Sequence, residues 1–159
     1  MILYRVSNHA ELTGLGGELA DGRWHTRQQG KRIVYLSDHP ALCILEMIVH
    51  VNEEDEFPKS FQLFSVDVPD GLVDTLDDSL LPNTWRDQSE ITQRLGNEWL
   101  SGRRSLGLSV PSAVVPIGRN CILNPLLPEI DRLGLHLVGR FPFDSRILRR
   151  TEDSLNPPL

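Results

Sequence analysis

Lys31-Arg32-Ile33-Val34-Tyr35-Leu36-Ser37-Asp38-His39-Pro40-Ala41-Leu42-Cys43-Ile44-Leu45-Glu46-Met47-Ile48-Val49-His50-Val51 is the stretch on which the fold turns. Residues 31–37 alternate, with β-branched and aromatic side chains at the centre, and predict a strand. Asp38 fits an N-cap and Pro40 the first helical turn, which predicts a helix from about His39 to Val51. Upstream, Ile2 to Val6 reads as a short strand, followed by the glycine-rich Gly14-Leu15-Gly16-Gly17 and a turn at Asp21-Gly22 before Arg23-Trp24-His25. Downstream come an acidic loop over Asn52 to Glu56 and an alternating strand from Phe61 to Val68. Leu81-Pro82 breaks the chain, and a helix is predicted over Ser89 to Leu100, ending near Gly102. Val110 to Val115 reads as a buried strand entered through Pro111, and Asn120 to Pro128 as a proline-bearing loop. Leu135 to Val138 and Phe143 to Leu148 are expected as closing strands, with a frayed end at Asn156 to Leu159. Strands and helices are mixed rather than alternating, so the expected class is α+β: a small mixed sheet with helices around it.

At 159 residues the chain suits one domain, expected over 1–150 with a tail at 151–159. Hydrophobic residues are 40% and charged residues 24%, a globular mix that excludes a disordered or fibrous chain. No run approaches the roughly 18 apolar residues of a membrane span. The opening Met1-Ile2-Leu3-Tyr4-Arg5 enters strand-like sequence directly, so a cytoplasmic location is expected. A net charge of −6 argues against coating nucleic acid by bulk electrostatics. Cys43 and Cys121 are too few for a disulfide scaffold and lack the spacing of a zinc site. The five histidines form no metal-binding pattern, so no metal is expected.

Four residues stand out chemically. Glu46 lies in a helix that is apolar almost all round, where a carboxylate needs a partner or a purpose. His39, Cys43, Glu46, His50 and Glu53 recur at three- and four-residue steps, and a plain solvent stripe stays open as the alternative. Arg23 places a cationic fork beside Trp24, behind glycines that lack the lysine of a phosphate loop. Ser112 is a small polar residue in apolar strand sequence, without the glycines of a nucleophile elbow; a strand-edge hydroxyl is its simpler reading.

Taken in order, these pieces resemble the RES-domain toxins, partners of Xre-type antitoxins in bacterial toxin–antitoxin operons. The matching residues are Tyr4-Arg5, Gly22-Arg23-Trp24-His25, Val34-Tyr35-Leu36-Ser37, and Ala41-Leu42 with Leu45-Glu46. Leu81-Pro82 with Trp85, Gly96-Asn97-Glu98-Trp99-Leu100, Val110-Pro111-Ser112-Ala113 and the Asn120-to-Pro125 segment complete the series. The similarity runs from about Met1 to Leu148. The chain departs from the family at His25, where asparagine is usual, and at Leu126-Leu127-Pro128, where a histidine often follows the Asn-Pro pair.

The resemblance implies a fold similar to ADP-ribosyltransferase toxins and an enzyme that breaks the nicotinamide–ribose bond of NAD, with water or phosphate as acceptor. NAD would be the substrate, and no prosthetic group is implied. Glu46, Arg23, Tyr35 and Ser112 are the implied catalytic set. Glu46 would meet the cationic ribose, Arg23 the phosphates, Tyr35 the nicotinamide ring, and Ser112 would orient Glu46 or the ribose. Arg5, Trp24, His25 and Asn120 are the implied substrate contacts. The implied partner is an Xre-type helix-turn-helix antitoxin, with a homodimer inside the complex and no direct nucleic-acid contact. Two alternatives remain: ADP-ribosyl transfer onto a host protein, and an inactive domain that binds antitoxin and tunes transcription.

Overall fold

A computed structural model of the chain describes residues 1–50 and 60–148. Its regular elements are β1 (Ile2–Val6), α1 (Gly16–Leu19), β2 (Val34–Ser37), α2 (Pro40–Ile48), β3 (Ser60–Asp67), β4 (Val73–Thr75), α3 (Ser89–Gly102), β5 (Gly107–Pro111), β6 (Arg119–Leu123), β7 (Leu135–Pro142) and α4 (Ser145–Leu148). The strands form one sheet in the order β4-β5-β6-β2-β1-β3-β7. Every pairing is antiparallel except β4 with β5, so the sheet is mixed and the fold is α+β.

Alternation along the strands builds a core on each face of the sheet. Val34 and Leu36 of β2 join Leu3, Val66, Cys121 and Leu123 in one core. Ile122 of β6 joins Leu108, Val110, Trp24, Trp85 and Leu100 in the other, with Tyr35 packed against it. Burying each large aliphatic or aromatic side chain is worth about 1.5–3 kcal/mol, which is what holds the loop bearing Trp24 to the sheet. Between β1 and β2 only Tyr4 and Ser37 are in register. The two strands are stitched at one point, and Arg5 and Val6, neighbours on opposite faces of β1, both reach the cleft described below.

Several expectations need correction. His39, not Asp38, caps α2: its ring Nδ1 accepts the Ala41 N–H at 3.1 Å, and Pro40 follows as the first helical residue. Asp38 instead accepts the Arg119 N–H at 3.3 Å. Helix α2 stops at Ile48, and only Leu42 and Cys43 are fully buried, while Leu45 and Val49 are exposed. The strand entered at Val110 ends at Pro111, because Ser112 Oγ accepts the N–H groups of Val114 and Val115 at 3.0 Å each and turns the chain. Residues 119–123, expected at the start of a loop, form β6. Strand β7 runs on to Pro142, and 145–148 are a helical turn rather than a strand. The acidic loop over 52–56, Val51 and the tail at 151–159 lie outside the described residues.

Candidate active site

The carboxylate of Glu46 is held by the sheet. Helix α2 points Glu46 toward the ends of β5 and β6, where Ser112 Oγ–H donates to its Oε1 at 2.7 Å and Asn120 Nδ2–H donates to the same oxygen at 2.6 Å. The single hydroxyl proton of Ser112 is committed to Glu46, because its oxygen already accepts from Val114 and Val115. Asn120 is fixed in turn by Ser37 Oγ–H, which donates to its Oδ1 at 2.8 Å, across the register pair Ser37–Asn120 of β2 and β6. Ser112 is 0% exposed, and Ser37 and Asn120 are also buried. Bonds to an ionised acceptor are the strong kind, so Oε1 is tightly positioned. Both protein donors fall on Oε1, which leaves Oε2 for a ligand.

Arg23 lies on a tight turn in which the Gly22 N–H donates to the His25 carbonyl at 3.0 Å. Helix α3 grips this turn from behind. Thr92 Oγ1 lies 2.6 Å from the Arg23 carbonyl, Gln93 Nε2 donates to the Gly22 carbonyl at 3.0 Å, and Asn97 Oδ1 accepts the Thr26 N–H at 3.3 Å. Gly96 sits directly against the Trp24 carbonyl, where no Cβ fits. The Arg23 guanidinium donates from Nη1 to the Arg86 carbonyl at 2.9 Å. The Arg86 guanidinium lies 4.7 Å above the Trp85 ring, itself 6.1 Å from the Trp24 ring. Among the described residues no carboxylate forms an ion pair with Arg23 or Arg5.

Both halves open on one cleft of about 860 Å³. Arg5, Arg23, His25, Tyr35, Glu46 and Asn120 line it, with glycines of the 14–22 segment along the rim. Ser112 stands behind Glu46. The carboxylates of the lining are Glu46 and Asp21, and Asp21 already accepts the Arg27 N–H at 2.6 Å. Arg5 Nη1 is buried without a hydrogen-bond partner, and desolvation lowers the Arg5 pKa. An unpaired cationic fork at a cleft wall is suited to an anion. Cys43 also lines the cleft, but burial pushes its thiol up to about 11, so it stays protonated and unreactive at neutral pH.

Arg23, Tyr35 and Glu46 thus come together from three separate segments, and Cys43, Glu46 and His50 face the same cleft, so the solvent-stripe alternative for Glu46 does not hold. Trp24 borders the cleft, but it is 1% exposed and packs on Trp85; its part is to hold the turn rather than to offer a stacking face. Ser37 had escaped notice, since a serine ending a strand carries no signal of its partner 83 residues away. The roles of Thr92, Gln93 and Gly96 were equally invisible. The motif containing Gly96-Asn97 was the one hint that α3 does more than fill space.

Comparison with known proteins follows the same lines. The family model described as "RES domain" matches residues 2–144. A protein of Photorhabdus laumondii subsp. laumondii named "Toxin Res" is 38% identical over 94% of this chain and 98% of its own length. A "Toxin Res" of Pseudomonas putida is 36% identical over 92% of this chain and 99% of its own length. A Sphingobium protein named "Prs ADP-ribosylating toxin" is 29% identical, covering 88% of each chain. Among the described residues no helix is long and apolar enough to cross a membrane, and no cluster of His, Cys, Asp and Glu has the arrangement of a metal site.

Proposed function

Because the chain belongs to the RES domain family, we propose that it is a toxin that consumes NAD by cleaving the nicotinamide–ribose bond, with water or phosphate as acceptor. One observation carries the reading: the Glu46 carboxylate, anchored on Oε1 by Ser112 and Asn120, shares a cleft with two arginines that have no carboxylate partner among the described residues. In this reaction the bond from ribose C1′ to the ring nitrogen breaks, and its electron pair neutralises the pyridinium. Positive charge then grows on the ribose as an oxocarbenium-like centre. Glu46 Oε2 faces that charge, and fixed orientation means no reorganisation is required as it develops. The acceptor adds its lone pair to C1′ and, if it is water, releases a proton to solvent. Arg23 and Arg5 hold the pyrophosphate, and Tyr35 borders the nicotinamide end. NAD is substrate in this scheme, and no prosthetic group takes part.

The test is incubation of the purified chain with NAD alone. Rapid release of nicotinamide and free ADP-ribose, or its 1-phosphate when phosphate is supplied, is expected, and abolition of both by Glu46→Gln. A second reading, transfer of ADP-ribose to a protein, is favoured by the name of the Sphingobium relative. It predicts negligible turnover with NAD alone and labelled protein when a cell extract is added. The names of the relatives also support an antitoxin partner, which we assign to the Xre-type helix-turn-helix class, with a homodimeric toxin inside the complex. The net charge of −6 leaves operator recognition to that partner, so a gel shift with this chain alone should show no specific DNA binding.

A further inference from the structure

Tyr35 Oη is the meeting point of two protein contacts, and the direction of its one proton is decided by a neighbour. The Trp24 N–H donates to it at 3.1 Å, and His25 Nδ1 lies 2.8 Å away, with the two rings tilted at 48° and their centroids 5.7 Å apart. A phenol oxygen has one proton and two acceptor sites, and Trp24 occupies one of those sites. The proton therefore goes either to His25 Nδ1 or into the cleft. If Nδ1 carries hydrogen, Tyr35 is a donor to the ligand; if Nδ1 is bare, Tyr35 is an acceptor.

The far side of the imidazole settles which. His25 is 3% exposed, and its Nε2 is buried without a close hydrogen bond. The carbonyls of Ala20 and Gly17 bear on the ring at looser geometry and favour hydrogen on it. With Nδ1 protonated, Nε2 would turn a bare lone pair toward those oxygens, which is repulsive. With Nε2 protonated, the ring meets them with its N–H. Burial lowers the His25 pKa, Lys31 acts in the same direction and Asp21 opposes it, so the ring is neutral and carries one hydrogen only. Gly22 closes the remaining side: a Cβ there would come within 2.5 Å of Tyr35 Oη and 2.7 Å of His25 Nδ1.

We propose that His25 is a positioning residue whose Nε2–H tautomer draws the Tyr35 proton onto Nδ1, so that Tyr35 offers the cleft a lone pair. Resting on the NAD reading, this makes Tyr35 the acceptor for a ligand donor, a ribose hydroxyl or the carboxamide NH₂. It also denies Tyr35 to the pyrophosphate, which has no proton to give, and leaves the phosphates to Arg23 and Arg5. His25 replaces the asparagine usual at this position in the family, and asparagine can supply the same acceptor through its side-chain oxygen.

The deciding experiment is a long-range ¹⁵N–¹H correlation spectrum of the histidines in the ligand-free full chain, with His25 assigned by its loss in His25→Asn. Hydrogen on Nε2 and a bare Nδ1 are expected, and hydrogen on Nδ1 overturns the proposal. This readout is independent of any reaction with NAD. The kinetic arm uses His25→Phe, which keeps a ring but removes the acceptor. It should raise KM for NAD about 3- to 10-fold with a smaller change in kcat, the span of one neutral hydrogen bond. Adding Tyr35→Phe should cost little more, and His25→Asn should restore KM. Fully additive effects, or no rescue by asparagine in a folded protein, overturn it.

Discussion

On one side of the cleft a carboxylate is pinned by side chains that rise from the sheet; on the other a cation rides on a turn pinned by a helix. Glu46 owes its position to Ser112, Asn120 and Ser37, three buried polar side chains that satisfy one another completely. Arg23 owes its position to backbone: the carbonyls of Gly22 and Arg23 are held by Gln93 and Thr92, and Gly96 lets α3 approach the Trp24 carbonyl. The first arrangement fixes an atom, as a transition state demands. The second fixes a loop and leaves a guanidinium some freedom at its tip, which suits binding a charged, extended ligand. The two halves should therefore fail differently.

The largest effect should come from Glu46→Gln. Glutamine keeps Oε1 and so keeps both donors, but it loses the charge that faces the ribose. Turnover should fall on the order of 10²–10³, about 3–4 kcal/mol, with little change in NAD affinity, because the charge acts chiefly in the transition state. Near wild-type NAD consumption by the folded variant would remove Glu46 from the mechanism. Arg23→Ala should act mainly on the other parameter. Losing one charge-assisted contact to phosphate is worth about 1.5–3 kcal/mol, a rise in KM of roughly 10- to 100-fold with a smaller drop in kcat. If steady-state kinetics show kcat falling and KM unmoved, the assignment of Arg23 to ground-state binding is wrong.

Gly96→Ala sharpens the contrast without touching the cleft. Its Cβ has no room against the Trp24 carbonyl, so the turn must shift or α3 must retreat. Overpacking of this kind costs about 1–3 kcal/mol, read as a lower denaturant midpoint. The residual activity should then resemble that of a weakened Arg23 variant, with raised KM. Unchanged stability and KM would mean that α3 does not position the cation half.

The same contrast explains what the sequence disclosed. Tyr35, Glu46, Arg23 and Ser112 were legible because each breaks a local pattern: a charge in an apolar helix, a hydroxyl in a strand, an arginine beside tryptophan. The strand–cap–helix grammar of 31–51 placed β2 and α2, missing only which residue caps. Strand β6 was hidden because prolines at 125 and 128 gave the whole segment a loop character, although Arg119 to Leu123 lies centrally in the sheet. Strand β4 has three residues and no alternation to detect, and its parallel pairing with β5 has no local signature at all. Ser37, Gly96 and Thr92 act across 60 residues or more, on partners that only the fold brings near. Local chemistry was visible; the groups that orient it were not.

The smallest expected effect is on stability against pH, and it belongs to the cation half alone. His25 has its pKa lowered in the folded chain, first by burial and then by Lys31, against the pull of the Ala20 and Gly17 carbonyls and of Asp21. A histidine in the unfolded chain takes a proton near its ordinary value of about 6.5. Between that value and the lower folded one, the unfolded state binds more protons, so stability rises with pH across this window. The contribution is fully present above about pH 6.5 and is lost as pH falls through the folded pKa. Glu18 and Asp77 are also lowered, but as carboxylates they lose their contributions further down, below the ordinary carboxylate range of about 4, and do not blur this window. Denaturant midpoints of the wild-type chain and of His25→Asn, measured from pH 8 to pH 5, isolate it. The wild type should lose stability on the acid side of pH 6.5 relative to the variant, whose residue 25 cannot titrate. Parallel curves would mean that the buried imidazole accepts a proton as readily as a solvated one, and the closed polar surroundings drawn for Tyr35 would have to be redrawn with them.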